Sequence, residues 1–223
     1  MSSPLLGAPG ADNSVRAARE PDLPAIGAVH ARSWTGPYAE VLPPALVLAL
    51  TPDLLAAAWQ GAVSAPPSPR HRVHVAVGDG IVAGFVASAP VEPAPVASAP
   101  VEHDGTGDDG TGSDGTGDDG TITHASAVEL VALEIDPLHQ RRGHGSRLLA
   151  AVVDTHRGDG TDRLHVWVHV DDAPRAAFLR GAGFAEDGAR RRRALVGGDP
   201  EDSRAVWPEV RMVAWLDSEE TTP

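Results

Sequence analysis

The stretch from Val128 to Leu149, VELVALEIDPLHQRRGHGSRLL, permits few local structures. Val128 to Ile135 is apolar except for two glutamates and reads as a strand. Asp136-Pro137 ends it, because proline has no N–H for a ladder. Leu148, Leu149, Val152 and Val153 then recur at helical spacing. Between strand and helix lies Gln140-Arg141-Arg142-Gly143-His144-Gly145. Glycines at a helix mouth let backbone N–H groups approach a ligand, and the N-terminus adds partial positive charge, so the expected ligand is an anion such as a pyrophosphate. Two common phosphate loops are excluded. GxGxxG is absent, and a Walker A loop needs a lysine, whereas all 18 basic residues here are arginine.

The loop Gln140 to Gly145 satisfies each defined position of Q/R-x-x-G-x-G/A, and in this it resembles motif A of the GNAT superfamily of acyl-CoA-dependent N-acetyltransferases. A second segment, Asp172 to Phe184, resembles the family's N-x-x-A-x-x-F-Y-x-x-x-G-F. Phe178, Gly183 and Phe184 fall in register, while Asp172 takes the asparagine position, Arg175 the small-residue position and Leu179 the tyrosine position.

The resemblance implies an α/β fold of the α+β kind. It has a mixed, mostly antiparallel sheet of about seven strands, flanked by about four to five helices and splayed between the fourth and fifth strands. It also implies acetyl-CoA as co-substrate and direct transfer of the acetyl group to a primary amine of a small molecule, peptide or protein. The pantetheine would lie along the backbone from Leu133 to Ile135 and the pyrophosphate on the amides of Arg142, Gly143, His144, Gly145 and Ser146, with Arg141, Arg142 or Arg147 adding charge and Asp172 also among the cofactor-binding residues. The family's base position falls on Glu129. Glu134 competes for that role, and strict alternation puts it on the opposite face of the strand. Leu179 cannot donate the proton that the family's tyrosine gives the departing thiolate, so Tyr38 or a water is expected instead. A thiol of pKa about 8.5 is already a fair leaving group, so losing such an acid costs at most roughly 10²- to 10⁴-fold. A non-catalytic acyl-CoA-binding module is the alternative that Leu179 leaves open.

The flanking sequence supplies the remaining elements. Residues 1–12 and 218–223 read as tails around one domain spanning 13–217. Ser14 to Ala17 is a first strand, Asp22 to Trp34 a helix, and Pro44 to Leu50 and Pro52 to Gln60 a helical pair with proline in each first turn. By the resemblance, Trp34 and Tyr38, the latter the only tyrosine, line the acceptor pocket. Arg72 to Val77 and Ile81 to Ala87 form a hairpin about Gly78-Asp79-Gly80. Arg163 to Val170, Ala189 to Val196 and Pro208 to Leu216 are later strands. Arg190 to Arg193 either meet an acidic partner or alternate along an exposed strand.

From 89 to 123 periodicity fails: a proline-alternating run precedes DGTGDDGTGSDGTGDDGT, and neither can bury a core, so this is an expected insertion. Calcium is not expected there, because the acidic spacing matches neither the EF-hand nor the nonapeptide repeat. No metal is expected elsewhere either: His71 and His74 lie on opposite strand faces, and His165 and His169 stand roughly 13 Å apart.

The net charge of −13 argues against a nucleic-acid partner. Seven acidic residues without an arginine lie in 102–120, which leaves −6 for the rest. No apolar run approaches a membrane span, and the first residues lack a signal-peptide pattern, so a cytoplasmic protein with no membrane partner is expected. The absence of cysteine excludes disulfides and a thiol nucleophile. A homodimer is compatible with the resemblance.

Overall fold

The computed structural model describes residues 13–91, 126–195 and 205–216. The expected tails, most of the expected insertion and the loop after the arginine-rich strand lie outside these residues. Seven strands and five α-helices follow one another as β1 (Ser14–Ala17), α1 (Leu23–Thr35), α2 (Pro44–Ala49), α3 (Pro52–Ser64), β2 (Arg72–Gly78), β3 (Ile81–Pro90), β4 (Ala127–Ile135), α4 (His144–Gly158), β5 (Arg163–His169), α5 (Ala173–Gly181), β6 (Ala185–Ala194) and β7 (Val206–Trp215).

The strands form one sheet of order β1-β2-β3-β4-β5-β7-β6, antiparallel throughout except between β4 and β5. The β2–β3 hairpin turns on Asp79 (φ 53°) and Gly80 (φ 78°), the two left-handed residues that a tight hairpin of matching twist requires. Three expected boundaries shift. β3 continues through Ala89 and Pro90, opposite Glu129 and Val128, so the sheet claims the first residues assigned to the insertion. β6 starts at Ala185 rather than Ala189, because the ladder to Val213 and Met212 resumes below a bulge between Glu186 and Arg190. α3 runs on to Ser64, its last turn packed on the sheet through Ala62 and Val63.

The sheet buries both faces. One face packs α4 and α5 through Leu148, Leu149, Val152, Ala176 and Leu179; the other packs α1 and α3 through Ile26, Val29 and Phe85. Helices α1 and α3 approach closely at Gly27, where a Cβ would come within 2.2 Å of the Pro52 carbonyl oxygen.

A register change in β4 decides the geometry of the site. Ala87 of β3 pairs with Ala132, but the next residue, Ser88, pairs with Leu130, so Val131 is left over as a bulge and is 56% exposed. Before the bulge Val128 and Leu130 point into the α4 core; after it Leu133 does, and Ala132 joins the α1 core. Parity has reversed. Glu129 and Glu134, expected on opposite faces, therefore emerge on the same one, which corrects the alternation argument. The parallel pairing of β4 with β5 also stops at Leu130↔Val166, so the two strands part at the bulge as the resemblance implied.

In the last turn of α4, His156 is wholly buried and its Nε2 lies 2.8 Å from Ser88 Oγ. Burial, helped by the Arg72 charge, pushes its pKa from the ordinary 6.5 down to about 4. The folded protein thus refuses a proton that the unfolded chain accepts. The contribution of His156 alone is unaffected above pH 6.5, falls as pH drops from 6.5 to about 4, and levels off below that, with a loss of ~3 kcal/mol. His30, His74 and His144 are depressed in the same direction. Denaturant unfolding at pH 7 and pH 4.5 measures the loss. His156→Leu should flatten the pH dependence, and an unchanged slope would refute the assignment.

Candidate active site

The motif A loop turns as its glycines require. A short turn, Pro137–His139, is capped by Asp136, whose side chain accepts from the Leu138 N–H at 3.0 Å. Arg32 of α1 holds the same carboxylate at 2.5 Å. Burial alone would raise the pKa of Asp136, but these partners outweigh it and hold it below the ordinary carboxylate range. Arg141 (φ 63°) and Gly143 (φ 77°) then reverse the chain in left-handed conformations. Gly143 is the N-cap of α4 and has no side chain to satisfy the first N–H groups, so those amides are left for a ligand.

A cleft of about 690 Å³ opens here. Its walls include Arg141, Gly143, His144, Gly145 and Ser146 on one side and Leu133, Glu134 and Ile135 on the other, with Asp172, Arg175 and Phe178 from α5 closing the end. Past Leu130 the β4 edge toward β5 has no strand partner, which exposes backbone groups to the cleft. Gly145 is tightly seated: a Cβ there would lie 3.3 Å from the Phe178 ring. The His144 ring is buried beside Gly78 and kept below its ordinary pKa first by burial and then by Arg147. Arg142 does not line the cleft; its carbonyl accepts from Arg147 at 3.0 Å.

A second, smaller cavity of about 70 Å³ lies across the gap between β4 and β5. Glu129, Trp34 and Tyr38 line it, together with Trp167, His169, Arg191 and Trp207 from the β5-β7-β6 half of the sheet. Tyr38, Glu134 and Arg175 line both cavities and so form the wall between them.

This wall is charged and cross-linked. Arg175 Nη2 lies 2.9 Å from Glu134 Oε2, and its Nε lies 3.2 Å from Asp172. The Trp34 indole donates to Glu134 at 3.3 Å, and the Tyr38 hydroxyl donates to Asp172. Burial opposes the charge on Arg175, but the fields of Glu134, Tyr38 and Asp172 prevail and hold its pKa above the ordinary guanidinium value. The Tyr38 phenol is pushed above its ordinary range, chiefly by burial; Arg175 opposes this and the bond to Asp172 adds to it.

Glu129 differs from Glu134. Its Oε2 lies 3.2 Å from His165 Nε2, and Arg191 approaches at 3.9 Å. The hydrogen bond from His165 outweighs desolvation, and Arg191 assists, so the Glu129 carboxyl sits below the ordinary range. It faces the small cavity as an ionised acceptor. The His169 Nδ1 accepts from the Asp171 N–H at 3.2 Å.

Several of these residues escaped the sequence reading. Arg175 had a signal, being a charge where the family motif has a small residue. Trp207 and Glu209 had none, since they reach the site only through the β5–β7 pairing. Arg190 to Arg193 do alternate, and one side of that alternation, Arg191 and Arg193, turns into the cavity, with Arg191 bound to Glu209 at 2.5 Å. Leu179 is buried in the core, so the motif's tyrosine position does not reach the cleft here. Among the described residues no cluster of three or more metal-ligating side chains occurs, and no helix is long and apolar enough to cross a membrane.

The overall fold is shared with solved N-acetyltransferases. One from Staphylococcus aureus superimposes with a TM-score of 0.60 at 15% identity, covering 92% of this chain and 99% of that one. The PaiA N-acetyltransferase of Thermoplasma acidophilum, solved with coenzyme A, gives 0.57 at 14% identity over 92% and 99%. A putative acetyltransferase from Salmonella typhimurium, solved with acetyl-CoA, gives 0.56 at 19% identity over 95% and 97%. At such identities the likeness is one of fold. No curated protein sequence matches the chain. The sequence model of the acetyltransferase (GNAT) family, however, matches residues 47–184, and the chain belongs to that family.

Proposed function

We propose that the protein is an N-acetyltransferase that moves an acetyl group from acetyl-CoA directly to a primary amine, in the cytoplasm that its cysteine-free composition suits. One observation carries the reading: Tyr38, Glu134 and Arg175 are shared by the glycine-loop cleft and the Glu129 cavity, so a donor in one and an acceptor in the other meet at a common wall. The donor cleft fits its ligand. It has unpaired amides at the mouth of α4, no acidic residue in that helix's first turn, and a β4 edge without a strand partner.

Acetyl-CoA supplies an activated acyl group as a thioester. The amides of Gly143 to Ser146 would hold the pyrophosphate, and the backbone of Leu133 to Ile135 the pantetheine. Glu129 takes the proton of the attacking amine. Glu134, ion-paired with Arg175 and hydrogen-bonded by Trp34, holds the wall in place instead of competing for that proton. Tyr38 lines both cavities and would be the group available to donate a hydrogen bond to the departing thiolate. Its raised pKa makes full proton transfer to a thiolate of pKa about 8.5 uphill, so it acts as a hydrogen-bond donor, redirecting the proton it now gives Asp172.

The test is acetyl-CoA binding by calorimetry followed by thiol release against a panel of amines. Gly145→Val is expected to weaken binding at least about tenfold, because a branched side chain must displace Phe178 and Ile135 from the cleft wall. Unimpaired binding in Gly145→Val would remove the cofactor assignment. Binding without release for any amine would instead favour a regulatory acyl-CoA-binding module.

A further inference from the structure

Glu129 is a long, half-buried side chain at the place where the sheet parts, and a base works only while its oxygen is held toward the amine it serves. We infer that His165 is the positioning residue of the transfer step: it pins one oxygen of Glu129, so that the other is presented to the acceptor. The inference rests on the transferase reading above, with Glu129 as its base.

The register supplies the pair. β4 runs beside β5 only from Ala127↔Arg163 to Leu130↔Val166, and Glu129 stands opposite His165 on the last rung but one. His165 is also paired with Val213 of β7, so its backbone is held on both sides, and the residue is 5% exposed. Its Nε2 lies 3.2 Å from Glu129 Oε2. An ionised carboxylate can only accept, so Nε2 carries the hydrogen and donates it. Glu129 Oε1 takes no hydrogen bond among the described residues, and Arg191 comes only to 3.9 Å from it. That guanidinium is engaged elsewhere, with Nε 2.5 Å from Glu209 and its carbon 4.2 Å from the centre of the Trp167 ring. His165 thus makes the one direct bond that orients the base among the described residues. It lines neither cavity, so it acts through Glu129 rather than on acceptor or acetyl-CoA.

Removing this donor has two consequences. The carboxylate is free to change rotamer, and a misplacement on the order of 1 Å costs about 10²-fold in rate. It also loses the strongest influence that keeps it ionised: burial is then opposed only by Arg191 and Arg193, so the group titrates at higher pH than in the wild type. The other charges around it are ion-paired, Glu209 with Arg191 and Glu134 with Arg175, and Tyr38 and His169 complete the titratable lining of the cavity.

The test uses the full chain, thiol release from acetyl-CoA and one amine of the panel throughout. His165→Leu keeps bulk and removes the donor; it is expected to lower kcat/KM at pH 7 by about 10- to 100-fold with acetyl-CoA affinity unchanged. The acceptor's own titration cancels in the ratio of variant to wild type, and that ratio should fall about twofold or more from pH 8 to pH 5. His165→Gln, whose amide reaches the place of Nε2, should recover to within about fivefold of wild type with a flat ratio. In a Glu129→Gln background His165→Leu should have no further effect. If His165→Leu does not fold, His165→Asn, whose amide stops short of Glu129, replaces it. Four results each overturn the inference and leave the transferase standing: kcat/KM of the leucine variant within about threefold of wild type, a ratio that stays flat, equal deficits in the leucine and glutamine variants, or a deficit that persists in the Glu129→Gln background. No thiol release by the wild-type protein with any amine overturns both.

Discussion

Glu129→Gln is expected to lower kcat for acetyl transfer by roughly 10²- to 10⁴-fold while leaving acetyl-CoA binding unchanged. The amide keeps the shape of the side chain but cannot take a proton, and Glu129 lines only the acceptor cavity, so the donor cleft is not disturbed. The wild-type carboxyl is already ionised below its ordinary range because His165 donates to it and Arg191 lies near. Its protonation therefore limits the rate only in strongly acidic solution, and near neutrality the rate follows the fraction of acceptor that is unprotonated. Steady-state kinetics at saturating acetyl-CoA, paired with calorimetry on the same variant, check both halves. A kcat within threefold of wild type would take the base role from Glu129. A weakened cofactor affinity would show that the carboxylate organises the cleft rather than the chemistry.

Arg175→Met is expected to cost roughly 3–5 kcal/mol of folding stability, the largest effect of any single change in the site. The side chain is of similar length and apolar, so packing on α5 is largely kept. What disappears is the only cation that, among the described residues, pairs with Glu134, a carboxylate that is 2% exposed, and with Asp172, the N-cap of α5. The penalty is that of a buried charge left without a partner, not the intrinsic worth of the ion pair. The double variant Arg175→Met/Glu134→Gln should therefore be more stable than Arg175→Met alone, because it removes the stranded charge. Denaturant unfolding of wild type, both single variants and the double variant closes this cycle. If the double variant is less stable than Arg175→Met, the buried-charge account fails. Transfer should be impaired in both Arg175 variants, since the wall between the two cavities loses its link.

The arginine has a second implication. At its position the family motif has a small residue, so a small side chain there would leave the wall between the cavities to other groups. In this chain the guanidinium gathers Glu134, Asp172 and the field of Tyr38 into one network. The position occupied by Leu179 faces the core, and the junction is furnished instead from α1, the segment after it, β4 and the start of α5.

Much of this architecture is written in local patterns. The strand ending at Asp136-Pro137, the left-handed Gly143, the Asp172 cap of α5 and the Asp79-Gly80 hairpin follow from side-chain and backbone preferences acting over a few residues. Hydrophobic periodicity then identifies which faces of α4 and β5 are buried, and with motif A it leads to the family and the donor cleft. Tertiary structure decided the rest. The bulge at Val131 is a mismatch between two strands, invisible in either alone, and it carries Glu134 to the face of Glu129. Trp207 and Glu209 enter the acceptor cavity only because β7 inserts between β5 and β6, a pairing between segments far apart in sequence. The pairing of Arg175 with Glu134 likewise joins side chains 41 positions apart in the chain. Local preference acts within a few residues and is legible in order along the chain, whereas register and the neighbourhood of buried charges depend on which distant segments the core brings together.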